Sequence, residues 1–246
     1  MVEKYRKVRR VASFDSDFKA RLKPASFLNW AQEAANVHAD YLGVGYDTIS
    51  TTRKAWVLAR THVVFHSLPA WRDEVTVLSW HKRANGFQYY RDFVLESTEG
   101  ERLVSATTTW LVIDIDTRKL VRNNDFGEEG ILGIDEDVIE APAPKVAIPR
   151  DVEAECVGER EVAFSDIDMN GHVNNVNYAV WAMDAVGLEV TLEKPMREIV
   201  INYNSEIKAG DRVVFYRHRE EVDGLLRFYV EGRVEGKSSF VAQLDF

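Results

Sequence analysis

The chain has 246 residues, 46% of them hydrophobic, and a net charge of −9. That is enough apolar material for one large domain or two ordinary ones, and the negative balance excludes a general affinity for nucleic acid. The single cysteine, Cys156, excludes an intrachain disulfide and a cysteine-rich metal site. The six histidines show no metal-ligand spacing, and neither a GxGxxG nor a Walker A run is present, so neither metal nor cofactor is expected. No apolar run approaches a membrane span. The first residues are basic without an apolar core, unlike a secretory signal, which leaves the cytoplasm as the expected compartment.

In chain order, residues 8–14 read as a short strand. Pro24 opens a helix over 25–42, with Phe27, Leu28, Ala31, Ala34, Ala35 and Val37 on a helical period. Gly43 and Gly45 stop it. Strand-like segments rich in Val, Thr, Trp, Tyr and Phe follow at 55–65, 74–82, 87–96 and 102–114. One long helix followed by strands without intervening helices predicts an antiparallel sheet packed on that helix, an α+β layer pair. Residues 123–156 are acidic and carry Pro142, Pro144 and Pro149, the composition of a surface linker. The first pattern then returns: a short strand at 162–165, a helix at 174–187, and strands at 198–207, 212–221, 226–234 and 238–244. The expected organisation is a first unit over 1–122, a linker over 123–156 and a second unit over 157–246.

The return is a repeat in fixed register. Val11 and Val162, Ala12 and Ala163, Asp15 and Asp166, Asp17 and Asp168, Trp30 and Trp181, and Ala31 and Ala182 are all 151 positions apart. The paired tryptophans are expected in the core, helix against sheet. The copies part company at two positions: Asn170 and His172 align with Lys19 and Arg21. One half is therefore expected to be catalytic and the other structural or substrate-holding.

The stretch 165–178 concentrates the chemistry. Asp168, Asn170 and His172 alternate with Met169 and Gly171, so all three can project to one side of an extended segment. They stand just before the second unit's helix, where unpaired N–H groups and the helix dipole favour negative charge. Such a site suits a reaction in which a carbonyl oxygen becomes negative. Helix capping alone accounts for one polar residue of the three.

The run Asp168-Met169-Asn170-Gly171-His172-Val173-Asn174-Asn175-Val176-Asn177-Tyr178 resembles the D-x-N-x-H-V-N-N-x-x-Y block of acyl-acyl-carrier-protein (acyl-ACP) thioesterases. Residues 56–63, Arg91-Asp92 and residues 199–211 are similar to further blocks of that family, so the likeness spans nearly the whole chain. It implies a double hot-dog fold, and hydrolysis of the acyl-ACP thioester to release a free fatty acid. It implies Asp168, Asn170, His172 and Glu206 as the catalytic set, no cofactor, and acyl carrier protein as the partner. The cysteine that follows the family glutamate in plant members is Ile207 here, so an aimed water is the expected nucleophile. Glu206 is the expected base, gaining strength in a partly dry cleft; the sequence leaves open whether His172 takes the proton instead. Asp168 is expected to orient His172 or Asn170. Cys156, among the acids Glu153, Glu155 and Glu159, is expected to be inert. The other histidines are expected to be structural. The acyl chain is expected in the first unit, and the basic clusters Lys4–Arg10 and Lys19–Lys23 are candidate docking faces for an acidic carrier. Two linked units already supply a hot-dog pair, so the chain is expected as a monomer or homodimer. The rival readings are an acyl-CoA thioesterase or dehydratase of the same fold, and a non-catalytic acyl-binding protein.

Overall fold

A computed structural model describes residues 3–126 and 131–246. The chain divides into two compact units, residues 1–59 with 63–143, and residues 60–62 with 144–246. The break falls inside the Pro-containing segment, and residues 127–130 of that segment lie outside the described residues.

The first unit begins with strand β1 (Tyr5–Arg10), helix α1 (Pro24–Tyr41) and a short helix α2 (Tyr46–Thr51). Strands β2 (Lys54–Phe65), β3 (Glu74–Asn85), β4 (Gln88–Ser97) and β5 (Arg102–Asp114) follow. In its sheet the neighbours run β1-β3-β4-β5-β2, and the β3–β4 and β4–β5 pairs are antiparallel. Pro24 sits at the first turn of α1, where its missing N–H costs nothing. Gly43, at φ 71°, takes the left-handed conformation that ends the helix. The helix buries Phe27, Leu28, Trp30, Ala31, Ala34 and Ala35, and Phe27 meets Phe65 edge to face at 6.4 Å. The first strand therefore lies earlier than residues 8–14: Val11 and Ala12 leave the ladder because Val11 donates to the Asp73 carbonyl in a loop contact.

The acidic segment after β5 is no loose tether where it is described. Residues 131–139 are strapped across β3. Ile131 enters an apolar cluster with Ile49, Tyr89, Val112 and Val121. The Ile134 N–H donates to the His81 carbonyl (2.9 Å), and a Cβ on Gly133 would collide with the Lys82 backbone. Lys82, 3% exposed, donates to the Ile139 carbonyl (2.9 Å) and pairs with Asp92 and Asp137.

A buried polar group lies between α1 and the sheet. Arg91 donates to His38 Nδ1 (2.9 Å) and Ser79 Oγ (3.0 Å), and His38 Nε2 in turn bonds the Glu3 carbonyl (2.9 Å). Burial first, then the charge of Arg91, pushes His38 and His81 each down to about 4. Both folded values lie below the value of about 6.5 in an unfolded chain. Between pH 6.5 and 4 the unfolded state therefore binds more protons, and stability must fall as the pH drops through that window. Asp92, raised by burial, opposes the trend. Thermal melts from pH 7 to pH 4.5 check this. His81→Phe removes the titrating group while keeping a ring beside Tyr89, so it should flatten the slope; an unchanged slope would rule out His81 as its source.

The second unit repeats the plan with strand β6 (Glu155–Glu161), helix α3 (Asn175–Val186) and a short helix α4 (Leu188–Glu193). Strands β7 (Glu198–Tyr203), β8 (Arg212–Val222), β9 (Leu225–Val234) and β10 (Lys237–Asp245) complete it. Neighbours run β7-β10-β9-β8-β6, and these four pairings are antiparallel. The strand expected at 162–165 lies earlier, as β6, whose first two residues are the last two of the expected linker; residues 164–166 form a single tight turn. Helix α3 buries Val176, Tyr178, Ala179, Trp181, Ala182 and Val186. Tyr178 and Phe240 meet edge to face at 5.1 Å, and Gly232 leaves the room that the Phe240 ring occupies. Trp30 and Trp181 are both core residues, as the repeat requires, and the repeat extends one strand further back: Arg9 lies over Trp30 and Arg160 over Trp181. Each unit is thus a long helix packed on an antiparallel sheet, the hot-dog plan twice in tandem.

Candidate active site

All four candidate residues lie in the second unit. Residues 166–174 form a tight loop between β6 and α3. Asp166, 5% exposed, receives Arg160 NH2 at 2.8 and 3.0 Å and the Ala163 N–H at 2.8 Å. Its carbonyl accepts from Asn174 N (2.8 Å) and Asn177 Nδ2 (3.0 Å). This anchor holds the loop to the helix. The first acid of the Asp-x-Asp pair was its only signal in the sequence.

Next comes the turn. Asp168 N donates to the His172 carbonyl (2.9 Å), and Gly171 N to the Asp168 carbonyl (3.0 Å). The Asp168 carboxylate accepts the Asn170 N–H at 2.8 Å, an Asx turn. Gly171 at φ 78° supplies the left-handed corner that lets the chain double back. Asp168 thus fixes the backbone of Asn170 rather than the ring of His172, and leaves the Asn170 side chain exposed. The backbone then enters α3 through Asn174, whose side chain caps Val176 N (2.9 Å). The first helical N–H, that of Asn175, has no acceptor inside its own helix.

The partner for His172 comes from the loop after β7. Val173 N donates to the Ile207 carbonyl (2.9 Å), and His172 bridges Lys208. These contacts bring His172 Nε2 to 3.3 Å from Glu206 Oε2. Glu206 is 44% exposed at its side chain and His172 32%, so Glu206 stands at an exposed rim and not in the partly dry cleft expected of it. The field is negative. Tyr178, buried behind the loop, is pushed up to about 12, first by burial and then by Glu206, Asp168 and Asp211. Tyr178, the last residue of the Asp168–Tyr178 block, is buried in α3.

The remaining residues divide plainly. Cys156 is exposed on β6 opposite Tyr216, a strand position and not a linker one. His62 has an acid after all: its Nε2 is 2.8 Å from Glu198 Oε1, and that bond holds the Glu198 carboxyl below its ordinary value. Among the described residues no group of three or more His, Cys, Asp or Glu gathers as a metal site. No helix among them is long and apolar enough to cross a membrane.

Comparison with known proteins gives a consistent likeness. The family described as "Acyl-ACP thioesterase N-terminal domain" matches residues 2–126, and "Acyl-ACP thioesterase C-terminal domain" matches residues 150–246. A chloroplastic oleoyl-acyl carrier protein thioesterase 2 of Arabidopsis thaliana is 28% identical over 223 residues, covering 82% of this chain and 59% of that protein. A chloroplastic palmitoyl-acyl carrier protein thioesterase of Gossypium hirsutum is 30% identical over 193 residues, 74% of this chain and 46% of its own length. The chain thus spans about half to three-fifths of these relatives. A solved acyl-ACP thioesterase of Bacteroides thetaiotaomicron superposes with a TM-score of 0.87 at 25% identity, over 99% of this chain and 97% of that one. The 12:0-ACP thioesterase of Umbellularia californica, at 22% identity and a TM-score of 0.86 over 98% and 93%, shares the fold.

Proposed function

The chain belongs to the acyl-ACP thioesterase family, and on that premise we propose that it hydrolyses the thioester of an acyl chain carried on acyl carrier protein, releasing the free fatty acid. The single observation that carries the reading is the approach of His172 to Glu206 at 3.3 Å, beside the exposed amide of Asn170.

Glu206 accepts a proton from a water as its oxygen attacks the thioester carbonyl carbon. His172 hydrogen-bonds that water and keeps the Glu206 carboxylate aimed. The carbonyl oxygen becomes an oxyanion held by the Asn170 side-chain N–H and the N–H of Asn175 at the start of α3. The tetrahedral species then collapses. The C–S bond breaks with its electron pair going to sulfur, and the thiolate takes back the proton held by Glu206. Fatty acid and carrier thiol leave. Asp168 acts at one remove, by holding the Asn170 backbone.

For the acyl chain we propose the first unit. A cavity there is lined by Ala35, Ala39, Leu42, Trp56, Trp110 and Ile131, between α1 and its sheet. Asn36, His81 and Arg91 also line it, so the lining is mixed, and its apolar side is the part suited to an alkyl chain. Ala35 and Ala39 stand one helical turn apart, so their methyl groups leave the space open. Ala39→Phe should fill it and move the optimum to shorter chains, with kcat for the shortest substrates within about threefold of the parent. The test is a turnover panel of acyl chain lengths on both acyl carrier protein and coenzyme A. Hydrolysis on the carrier with a chain-length optimum that moves in Ala39→Phe supports the reading. Turnover on coenzyme A alone would favour an acyl-CoA thioesterase, and no turnover on either would leave only an acyl-binding protein.

A further inference from the structure

The first unit holds a second copy of the catalytic loop with its chemistry exchanged. Asp17 N donates to the Arg21 carbonyl (2.7 Å), as Asp168 N does to that of His172, and Lys19 N donates to Asp17 Oδ1 (2.8 Å), as Asn170 N does to Asp168. Leu22 N donates to the Pro69 carbonyl (2.9 Å), as Val173 N does to that of Ile207. Even the left-handed corner is kept: Ala20, at φ 57°, stands where Gly171 does. A non-glycine residue in that conformation is strained, so the turn is retained although the dyad is lost. Leu68, the residue before Pro69, occupies the place of Glu206, and Lys19 and Arg21 occupy those of Asn170 and His172.

What the exchange leaves is a cationic and aromatic surface. Trp71 N donates to the Ala20 carbonyl (2.7 Å), joining the two loops. Arg72 lies over Trp71 at 3.9 Å, and Arg10 Nε donates to the Arg72 carbonyl (3.1 Å). Arg10, Trp71 and Arg72 line a shallow groove, and Lys19 lies over the exposed Phe18 ring. Arg21 is neutralised by Asp17 (3.1 Å). Among the described residues, Arg10, Lys19, Lys23 and Arg72 have no carboxylate within ion-pair distance; Glu74, opposite Arg10 on β3, makes no ion pair with it. By contrast Lys4, from the neighbouring basic run, is spent on Glu136 and Trp80. A cluster of unpaired cations around exposed Phe14, Phe18 and Trp71, in a chain of net charge −9, matches a partner that is acidic and carries apolar side chains.

Resting on the hydrolase reading above, we propose that this converted loop is the docking surface for the acidic carrier protein that delivers the acyl thioester. Cations of this kind speed encounter and weaken with salt, while the aromatic groups supply the area that holds the partner.

The test measures binding of fluorescently labelled holo-carrier protein to the full chain at low and high salt. Hydrolysis of acyl-carrier and of acyl-pantetheine, which lacks the protein, is measured alongside. The triple variant Lys19→Glu, Lys23→Glu and Arg72→Glu should weaken carrier binding at least tenfold at low salt and flatten the salt dependence. Its kcat/KM should fall as much for acyl-carrier and stay within about twofold for acyl-pantetheine. Lys119→Glu with Lys237→Glu, the same kind of reversal at exposed residues outside both basic clusters, should change neither. The single variant Lys19→Glu, at an exposed side chain, guards against misfolding and should show part of the effect. Carrier binding unchanged in the triple variant, absence of binding in the parent, or a preference of the patch for anionic lipid vesicles over the carrier would overturn the proposal. Binding that behaves as expected in a protein that cleaves neither thioester would sink the hydrolase reading and leave the docking surface standing.

Discussion

Glu206→Gln is expected to lower kcat by about a hundredfold or more, the loss typical of a removed general base. The substitution keeps the shape of the side chain and its reach to His172, 3.3 Å away, while removing the atom that accepts the water's proton. Because Glu206 is exposed, no buried network collapses with it, and the melting temperature should stay within a few degrees of the parent. KM should change little, since the carboxylate acts on the water and not on the acyl chain. Asn170→Ala should be comparably severe through loss of an oxyanion donor. Cys156→Ser should be silent, because Cys156 is an exposed strand residue facing Tyr216 and direct attack by water needs no thiol. Single-turnover kinetics with mass spectrometry check the whole set. A covalent acyl adduct on Cys156, or a fully active Glu206→Gln, would refute the mechanism.

The second large effect is expected on stability. Lys82 and Asp92 are 3% and 0% exposed, and their charged atoms approach to 3.3 Å. Asp92 also accepts the Val138 N–H (2.7 Å), and the Lys82 ammonium also pairs with Asp137 Oδ1 at 2.7 Å. The pair ties the 131–139 strap to β3 and β4. Lys82→Met leaves the Asp92 carboxylate buried without its cation, and removing one partner of such a pair costs about 3–5 kcal/mol. The double variant Lys82→Met with Asp92→Leu removes both charges together and should recover much of that loss, since a buried ion pair is often worth little against apolar residues of similar size. Denaturant unfolding of the three proteins measures both numbers. The strap carries Ile131 into the lining of the cavity proposed for the acyl chain, so Lys82→Met should also broaden chain-length preference. A Lys82→Met variant as stable as the parent would show that the strap is not held by this pair.

The repeat, the two helices and most of the strands could be read from the sequence. Apolar periodicity is local: Phe27 to Ala35 and Val176 to Val186 carry the faces they bury within their own few turns. The polar trio itself was legible, but the extended segment expected to carry it is a turn, closed by the Asp168 bond to the Asn170 N–H and by the left-handed corner at Gly171. The likeness to a family supplied Glu206, which no local pattern distinguishes from an ordinary exposed acid.

Other features depended on pairings between distant segments. His172 and Glu206 meet only because the Val173 N–H finds the Ile207 carbonyl. His62 gains Glu198 from a strand more than a hundred positions away. The acidic stretch looked like a tether because its composition is polar and Pro-containing, yet part of it is fixed by Ile131 in an apolar cluster and by a buried Lys82. β6 was missed because an edge strand of mostly exposed polar residues has no hydrophobic alternation to betray it. Likewise, the basic residues around Lys19 formed a run in the sequence, but only the loop contact between Trp71 and Ala20 gathered Arg10 and Arg72 beside them. The sequence by itself determined the repeat, the fold class and the polar trio, since these rest on interactions between near neighbours. The tertiary structure decided which charges are paired, which are buried and which are left facing solvent, because those follow from sheet register and burial, which join residues far apart in the chain.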